Sequence, residues 1–320
     1  MNFWEELKKP IFILAPMDGV TDTVFRQIVV SVGKPDVVFT EFVSIDALTS
    51  KGKDRALERL KFDRRERPIV AQIWGADPVK FYQVAKMLYQ MGFDGIDINM
   101  GCPVRSALIK SSCSALIKNP KRAREIILAT IDGGGGLPVS VKTRIGFSEI
   151  DTENWVSTLL QTPLAALTLH LRTVAEMSKV PPHWTEIEKA LKVRDQLKSK
   201  ALIIGNGDIK SLNEAQEKCS QYKIDGAMIG RGIFENIWLF NVKVDIKNVT
   251  PQQKIKLLLK HLNLFQKNYG NNKHFEIMKK FVKCYINNFK GATEAREILM
   301  QTKSLDELIC ILNTNPIYLM

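Results

Sequence analysis

The chain has 320 residues, 45% of them hydrophobic, which is enough for a large core and favours one large domain with a smaller appendage. Its 46 basic and 34 acidic residues give a net charge of +12, which favours a polyanionic partner, either nucleic acid or an anionic membrane, over a merely solvated basic surface. Five scattered cysteines without a C-x-x-C pair argue against a disulfide framework or a structural zinc site. They indicate a reducing, cytoplasmic setting.

Short apolar, β-branched runs recur through the first 230 residues and predict strands. They are IFILA (11–15), VVFTE (37–41), IVAQI (69–73), GIDIN (95–99), VSVKT (139–143), LTLHL (167–171), LIIGN (202–206) and AMIGR (227–231). Segments of helical length lie between them, and PVKFYQVAKMLYQMG (78–92) has Pro at its start and Gly at its end.

Strands that alternate with helices predict parallel β-α units, and eight units in about 240 residues predict a (β/α)8 TIM barrel. An α/β doubly wound open sheet is the alternative. The first turn, APMDGVTD (15–22), contains no G-x-G-x-x-G fingerprint. The GGGG run at 133–136 follows a helix and precedes a strand, so we interpret it as a connecting loop.

After about residue 241 the strand pattern stops and helix-period segments rich in Lys follow. We predict a barrel over 1–243, a hinge near 242–250 and a small C-terminal helical domain over 244–320. Four helices are expected, within 251–270, 274–289, 292–301 and 304–312. Residues 246–320 hold 12 Lys and Arg against 5 Asp and Glu, a net +7, so over half of the excess charge lies here.

Barrel enzymes place their chemistry at the C-terminal ends of the strands. Five successive predicted strands, the second to the sixth, end in polar residues: Glu41, Gln72, Asn99, Lys142 and His170. Cys102 lies just beyond the fourth predicted strand of the chain. Each of the five is costly to bury without a partner. A satisfied core polar group would account for any one of them, and less readily for all five.

The same strand ends have a chemical logic. Glycines at the ends of the last two predicted strands, at 205, 207 and 230, leave backbone N–H groups for a phosphate, and Arg231 adds a charged clamp. Gln72 both donates and accepts hydrogen bonds, which suits a heterocycle. This set fits flavin mononucleotide (FMN), whereas no convergent His, Asp and Glu set predicts a metal site.

Several motifs in a fixed order resemble the tRNA-dihydrouridine synthases, flavin enzymes that reduce uridine in tRNA. They are LAPMDGVTD (14–22), TEFVS (40–44), AQIWGADP (71–78), DINMGCPV (97–104), VKTRIGF (141–147), LHLRT (169–173), HWTEI (183–187), IGNGDI (204–209) and MIGRG (228–232). The helical tail resembles the family as well, so the resemblance covers nearly the whole chain.

The resemblance implies an FMN-binding barrel followed by a tRNA-binding helical domain. It implies that NADPH or NADH reduces FMN, that hydride reaches C6 of uracil and that Cys102 protonates C5 as general acid. Asn99 and Arg144 correspond to substrate-side residues. The residues carried over to FMN are Pro16, Met17, Gln72, Lys142, His170, Asn206, Gly207, Gly230 and Arg231. We further expect a cytoplasmic monomer with no membrane or metal partner.

Two positions depart from the family pattern. The family has glycines in a G-x-G-x-A-L-L loop after the cysteine, where this chain has SSCSALI (111–117), and loss of glycine restricts the backbone. Asp18 stands where a small residue is common, and either changes polarity near the flavin or faces solvent. We expect Cys113 to be a small buried thiol. Cys102 needs no lowered pKa, since an ordinary thiol with a pKa of roughly 8.5 carries its proton at neutral pH.

Two other functions stay open at this point. One is an FMN-dependent oxidoreductase of a free pyrimidine, which would not explain the basic tail. The other is a non-catalytic tRNA-binding barrel, which would not explain the retained Cys102, Lys142 and His170.

Overall fold

The computed structural model describes residues 2–314. Contacts divide these residues into two compact units: 2–23 with 35–230, and 24–34 with 231–314. The segment 24–34 is thus grouped with the C-terminal part of the chain. The sequence-based boundary between residues 243 and 244 stays a prediction.

The first unit contains nine parallel strands. They are β1 (Ile11–Leu14), β2 (Val37–Phe39), β3 (Val43–Ser44), β4 (Ile69–Trp74), β5 (Gly95–Met100), β6 (Val139–Arg144), β7 (Ala166–His170), β8 (Leu202–Asn206) and β9 (Gly226–Ile229). Eight of them close into a ring, because β1 pairs with both β2 and β9, β2 pairs with β4, and β4 to β9 pair in chain order. The two-residue β3 pairs only with the end of β4. The closed ring confirms the predicted TIM barrel and excludes the open sheet.

Helices separate the strands as predicted. They are α1 (Thr23–Val32), α2 (Ile45–Leu48), α3 (Lys53–Leu57), α4 (Pro78–Gln90), α5 (Arg105–Ile109), α6 (Pro120–Gly133), α7 (Thr152–Leu160), α8 (Glu186–Gln196) and α9 (Leu212–Tyr222). The bounds of α4 follow from its sequence. The Asp77 side chain caps it by accepting from the Val79 N–H at 2.9 Å, and Pro78 occupies the first turn. The helix ends just before Gly92, which has a left-handed φ of 75°.

Two strands end two residues before their apolar runs do. β2 stops at Phe39, so Thr40 and Glu41 lie in the following loop, and β9 stops at Ile229, before Gly230. The glycine run behaves as predicted, because α6 ends at Gly133 and the remaining glycines connect it to β6.

The second unit contains four further helices, α10 (Pro251–Tyr269), α11 (Glu276–Tyr285), α12 (Ala292–Gln301) and α13 (Leu305–Thr314), which confirm the predicted helical tail. A capping box between Thr250 and Gln253 starts α10. Inside this unit the His261 ring lies 2.8 Å from the buried Tyr285 hydroxyl. Within residues 2–314 no helix has both the length and the apolar character needed to span a bilayer.

The closed ring leaves no room for a side chain where β9 meets β1. A Cβ added at Gly226 would lie 2.3 Å from the Ile11 carbonyl oxygen, against backbone that cannot rotate away. We therefore expect Gly226→Ala to lower the free energy of unfolding by about 1–3 kcal/mol, the usual cost of overpacking. Urea denaturation measures this change.

Gly52→Ala is the matched control, because its added Cβ would meet only the Ser50 hydroxyl at 3.7 Å. Loss of a glycine N-cap there should cost under about 1 kcal/mol. Equal stability of Gly226→Ala and the wild-type protein would contradict the packing described for β1 and β9.

Candidate functional site

The strand register brings the predicted polar residues together at one end of the barrel. Asn99 of β5 lies opposite Lys142 of β6, and Arg144 of β6 lies opposite His170 of β7. His170 in turn lies opposite Asn206 of β8. Four successive strands thus present polar side chains at their C-terminal ends, where barrel enzymes carry their chemistry.

Asn99 anchors the loop that carries Cys102. Its side-chain oxygen accepts hydrogen bonds from the backbone N–H groups of Gly101 and Cys102, both at 3.0 Å. Its Nδ2 donates to the Gln72 side-chain oxygen at 3.2 Å, and the carboxamide is 7% exposed. One buried side chain therefore fixes both backbone N–H groups next to the candidate acid.

A buried carboxyl continues this network. Asp97 accepts hydrogen bonds from Gln72 Nε2 at 2.7 Å and from the Ser140 hydroxyl at 2.6 Å. Burial raises the pKa of Asp97 from 3.8 to about 6, while these two hydrogen bonds and the charge of Lys142 oppose the rise. The sequence analysis missed Asp97, although its spacing of two from Asn99 in DINMGCPV places both on one face of β5.

Lys142 presents an ammonium group at the strand ends. Its Nζ donates to Asn206 Oδ1 at 3.0 Å, and Asn206 is held by a 2.8 Å bond from its Nδ2 to the Met228 carbonyl. Burial lowers the pKa of Lys142 to about 8, helped by the nearby charge of Arg144. The bond to Asn206 is the one hydrogen bond of the Lys142 ammonium to any described residue, so two of its N–H groups remain for a ligand.

Arg144 organises backbone around Cys102. Its Nε donates to the Gly101 carbonyl at 2.9 Å, and its Nη1 donates to the Thr173 and Met177 carbonyls at 2.9 and 2.8 Å. Only 6% of the residue is exposed. Its placement on the substrate side stays a prediction, while the structure shows it joining the Cys102 loop to the loop after β7.

The remaining predicted flavin residues of the first unit directly follow three neighbouring strands of the ring, β1, β8 and β9. Pro16 and Met17 follow β1, and a Cβ added at Gly230 after β9 would lie 3.8 Å from Met17 Sδ. Gly207 follows β8, where an added Cβ would lie 2.7 Å from Pro182. Arg231 begins the 3-10 helix Arg231–Phe234 of the second unit.

Cys102 lines a cavity of about 440 Å³ together with Trp74, Arg55, Arg59 and Cys113. The Cys113 thiol hydrogen-bonds to Cys102 and is the largest influence on it, lowering the pKa of Cys102 to about 6. Burial opposes this change, and the Val104 N–H and the charge of Arg144 support it. An ordinary, fully protonated thiol was expected, and the structure differs because of this second thiol.

The Cys113 loop keeps the backbone shape of a glycine loop without its glycines. Ser111 and Cys113 have φ values of 51° and 52°, in the left-handed region, at the two positions where the family pattern has glycine. Such a conformation costs roughly 1–2 kcal/mol for a residue with a side chain. The loop is held by a 2.7 Å bond from the Ser114 hydroxyl to the Cys102 carbonyl.

Asp18 forms an ion pair with Arg59 at the edge of the same cavity. The Arg59 guanidinium also lies 3.4 Å from Glu41, whose carboxylate accepts the Gly19 N–H at 2.6 Å. Neither of the two environments expected for Asp18 includes this pair. Arg59 lies outside every motif used above, so the sequence offered no signal for it.

Comparisons with known proteins identify the family of the chain. The family model described as dihydrouridine synthase (Dus) matches residues 13–316. The chain belongs to the dihydrouridine synthase family. It is 43% identical over 315 residues to a probable tRNA-dihydrouridine synthase of Staphylococcus aureus (strain COL), covering 98% of this chain and 95% of that protein.

A second relative supports the same family, and a solved structure shares the fold. A probable tRNA-dihydrouridine synthase 2 of Bacillus subtilis (strain 168) is 42% identical over 316 residues, covering 98% of this chain and 96% of that one. Histamine dehydrogenase from Rhizobium sp. 4-9 matches with a TM-score of 0.56 at 12% identity, covering 79% of this chain and 48% of that chain. At this identity the likeness shows the fold alone.

The thiol pair makes a prediction about Cys102 reactivity. Because only the thiolate reacts, the rate of Cys102 alkylation by iodoacetamide should rise with pH around a midpoint near the pKa of about 6. In Cys113→Ala, which lacks the hydrogen-bond donor, the midpoint should move toward the ordinary thiol value of roughly 8.5. Mass spectrometry of the tryptic peptide 87–105 follows the reaction. An unchanged midpoint would show that Cys113 does not stabilise the thiolate.

Asp97 predicts a pH dependence of stability. Its folded-state pKa is raised from 3.8 to about 6, so its stabilising effect is complete below pH 4 and declines as pH rises toward 6. Relative to Asp97→Asn, which cannot ionise, the wild-type protein should lose up to about 3 kcal/mol between these limits. Urea unfolding of both proteins at pH 4 and pH 7 measures the difference. A difference that does not change with pH would contradict the raised pKa.

Proposed function

We propose that this protein is a tRNA-dihydrouridine synthase that reduces uridine to 5,6-dihydrouridine in tRNA, with Cys102 as the acid. The observation that carries the proposal is the placement of Cys102. It stands on a loop fixed by Asn99, beside a cavity at the C-terminal ends of the barrel strands. Family membership supplies the reaction, and the relatives' names supply tRNA as the substrate.

FMN is the proposed cofactor, and the residues present fit it. Lys142 offers unused N–H donors, and a Cβ added at Gly230 would contact only the Ala15 and Met17 side chains, at 3.7 and 3.8 Å. Lys142, His170, Asn206 and Gly207 would hold FMN from β6 to β8, while Pro16, Met17 and Gly230 would hold it from β1 and β9. Gln72 and Arg231 stay in the predicted set. When bound, FMN reduced by NADPH or NADH supplies the hydride for C6 of uracil.

Cys102 provides the proton for C5. In the free protein its lowered pKa leaves a thiolate at neutral pH, which cannot donate. A neutral base that displaces water from the cavity raises the thiol pKa, because desolvation disfavours the charged form. After the proton leaves Cys102 Sγ, the Cys113 thiol and the Val104 N–H stabilise the thiolate product. The same contacts therefore make protonated Cys102 a stronger acid.

The helical tail is the proposed main source of tRNA affinity. Its net +7 provides phosphate contacts. A uridine inside folded RNA has to leave its stack before it can reach Cys102, at a cost of a few kcal/mol. Phosphate contacts offset that cost. A free pyrimidine would need neither the tail nor this charge, and the family match extends through it. Action on tRNA, together with the reduced cysteines, favours a cytoplasmic location.

The reaction has two halves, reduction of the flavin by NADPH and reduction of uridine by the flavin. If Cys102 is the acid, its loss should affect only the second. Cys102→Ala should bind FMN and be reduced by NADPH as the wild-type protein is, because this step needs no proton on C5. Uridine reduction should fall by about 10²–10⁴, the usual contribution of a positioned acid. Stopped-flow absorbance of the flavin measures both steps. Cys310→Ala is the control, since that thiol is exposed and distant in sequence. Normal tRNA reduction by Cys102→Ala would remove the assignment.

The tail predicts a salt-dependent tRNA affinity. Exposed lysines on α10 are Lys256, Lys260 and Lys267, and changing all three to Ala should weaken binding. The slope of log K against log salt should also become shallower, by roughly one unit for each phosphate that the tail no longer neutralises. Fluorescence anisotropy with labelled tRNA measures both quantities.

The matched control removes three exposed lysines from the end of α8 and beyond it, Lys192, Lys198 and Lys200. It changes the net charge equally and should leave the slope nearly unchanged. Equal effects of the two triple variants would show that the net charge of the protein, and not the tail, determines the affinity.

A further inference from the structure

The pairing of Cys102 with Cys113 is a feature that uridine reduction does not require. A general acid needs one thiol, and the family pattern has glycine where Cys113 stands. This chain places a second thiol there despite the left-handed backbone at φ 52°. Both thiols line the same cavity, and Cys113 is the main cause of the lowered pKa of Cys102.

Their surroundings differ in a way that assigns each a separate role. Cys102 is half-buried and lines the cavity, whereas Cys113 is only 1% exposed. Oxidation-sensitive cysteines have this arrangement: an accessible sulfur with thiolate character next to a second, resolving thiol. The bond from the Ser114 hydroxyl to the Cys102 carbonyl, at 2.7 Å, holds the two backbone segments together.

We propose that Cys102 and Cys113 form a reversible disulfide when the protein meets hydrogen peroxide, and that this modification switches the enzyme off. Switching off rests on the proposed function, because it requires Cys102 to be the acid. Formation of the disulfide rests on the placement of the two thiols and on the thiolate character of Cys102, and not on the proposed function.

The chemistry proceeds in two balanced steps. The Cys102 thiolate attacks one oxygen of hydrogen peroxide, the O–O bond breaks, and the products are a sulfenic acid on Cys102 and hydroxide. The Cys113 sulfur then attacks the Cys102 sulfur, forming the S–S bond and expelling water that carries the Cys113 proton. Peroxide is reduced by two electrons and the thiol pair is oxidised by two. A dithiol reductant reverses the change.

The other cysteines do not offer the same chemistry. Burial raises the pKa of Cys219 and of Cys284 to about 12, and neither residue lines the cavity that Cys102 and Cys113 share. Cys310 is exposed and provides an internal reference for an accessible thiol outside this pair.

A peptide-mapping experiment on the full-length protein tests the proposal directly. The reduced protein is treated with hydrogen peroxide, its remaining thiols are blocked with iodoacetamide, and it is digested with trypsin. Cleavage after Arg105 and Lys110 puts Cys102 in peptide 87–105 and Cys113 in peptide 111–118. A disulfide therefore appears as two linked peptides with a mass about 2 Da below their sum, for the two hydrogens lost.

We expect the wild-type protein to lose two of its five thiols and to recover both with dithiothreitol. In Cys113→Ser, and in Cys113→Gly, which restores the family glycine, oxidised Cys102 should instead be found as sulfenic and irreversible sulfinic acid, because no thiol resolves it. Linkage of Cys102 to any other cysteine would overturn the proposal. So would unoxidised Cys102, or equal shares of sulfinic acid in the oxidised Cys102 of the wild type and of the variants.

An activity arm separates the two proposals. Wild-type protein in which Cys102 and Cys113 are linked should lose uridine reduction and regain it with dithiothreitol. If the linked peptides are found but the protein keeps full activity, the proposed disulfide stands, whereas both the switch and the acid role of Cys102 are overturned. Loss of activity without linked peptides would overturn the switch and leave the proposed function standing.

Discussion

The Asn99 side chain is the constraint on which the barrel mouth depends. Its oxygen holds the N–H groups of Gly101 and Cys102, and its nitrogen holds Gln72. Gln72 is in turn bonded to Asp97, which Ser140 also bonds. The position of Cys102 is therefore fixed through buried hydrogen bonds reaching three adjacent strands, β4, β5 and β6. Removing any member leaves polar groups unpaired in the interior, which is more costly than the absence of the bond itself.

Charge at the strand ends is arranged around this network. Burial pushes the pKa values of Asp97 and Lys142 toward each other, and their mutual attraction opposes both shifts. Arg144 adds a second cation whose donors hold backbone carbonyls instead of a carboxylate. The mouth therefore carries an excess of positive charge, which suits an anionic cofactor and supports thiolate character at Cys102.

The thiol pair gives Cys102 two properties that conflict in the free protein. A stabilised thiolate makes Cys102 a stronger acid once it is protonated, but it lowers the fraction protonated at neutral pH. It also exposes the sulfur to oxidants. A second thiol in contact provides both the stabilisation and a reversible outcome of oxidation. The loop keeps the backbone of a glycine loop to hold that thiol.

Much of the fold could be predicted because it depends on local patterns. Eight apolar runs and four helix-period segments identified the barrel and the tail, and shared positions at strand ends identified Lys142, Asn99 and His170. The pairings of Arg59 with Asp18, and of Cys113 with Cys102, depend on side chains that meet only after folding. The same holds for the grouping of 24–34 with the C-terminal unit, since nothing local to those residues indicates their packing partner.

The central claim is that this protein reduces uridine in tRNA with Cys102, held at the barrel mouth, as the proton donor. It is tested most directly by mapping dihydrouridine in tRNA from cells that lack the gene, with and without plasmids carrying the wild-type protein or Cys102→Ala. The account predicts that dihydrouridine disappears from at least one tRNA position, returns with the wild-type protein and stays absent with Cys102→Ala. Unchanged dihydrouridine in the cells lacking the gene, or full restoration by Cys102→Ala, would contradict it.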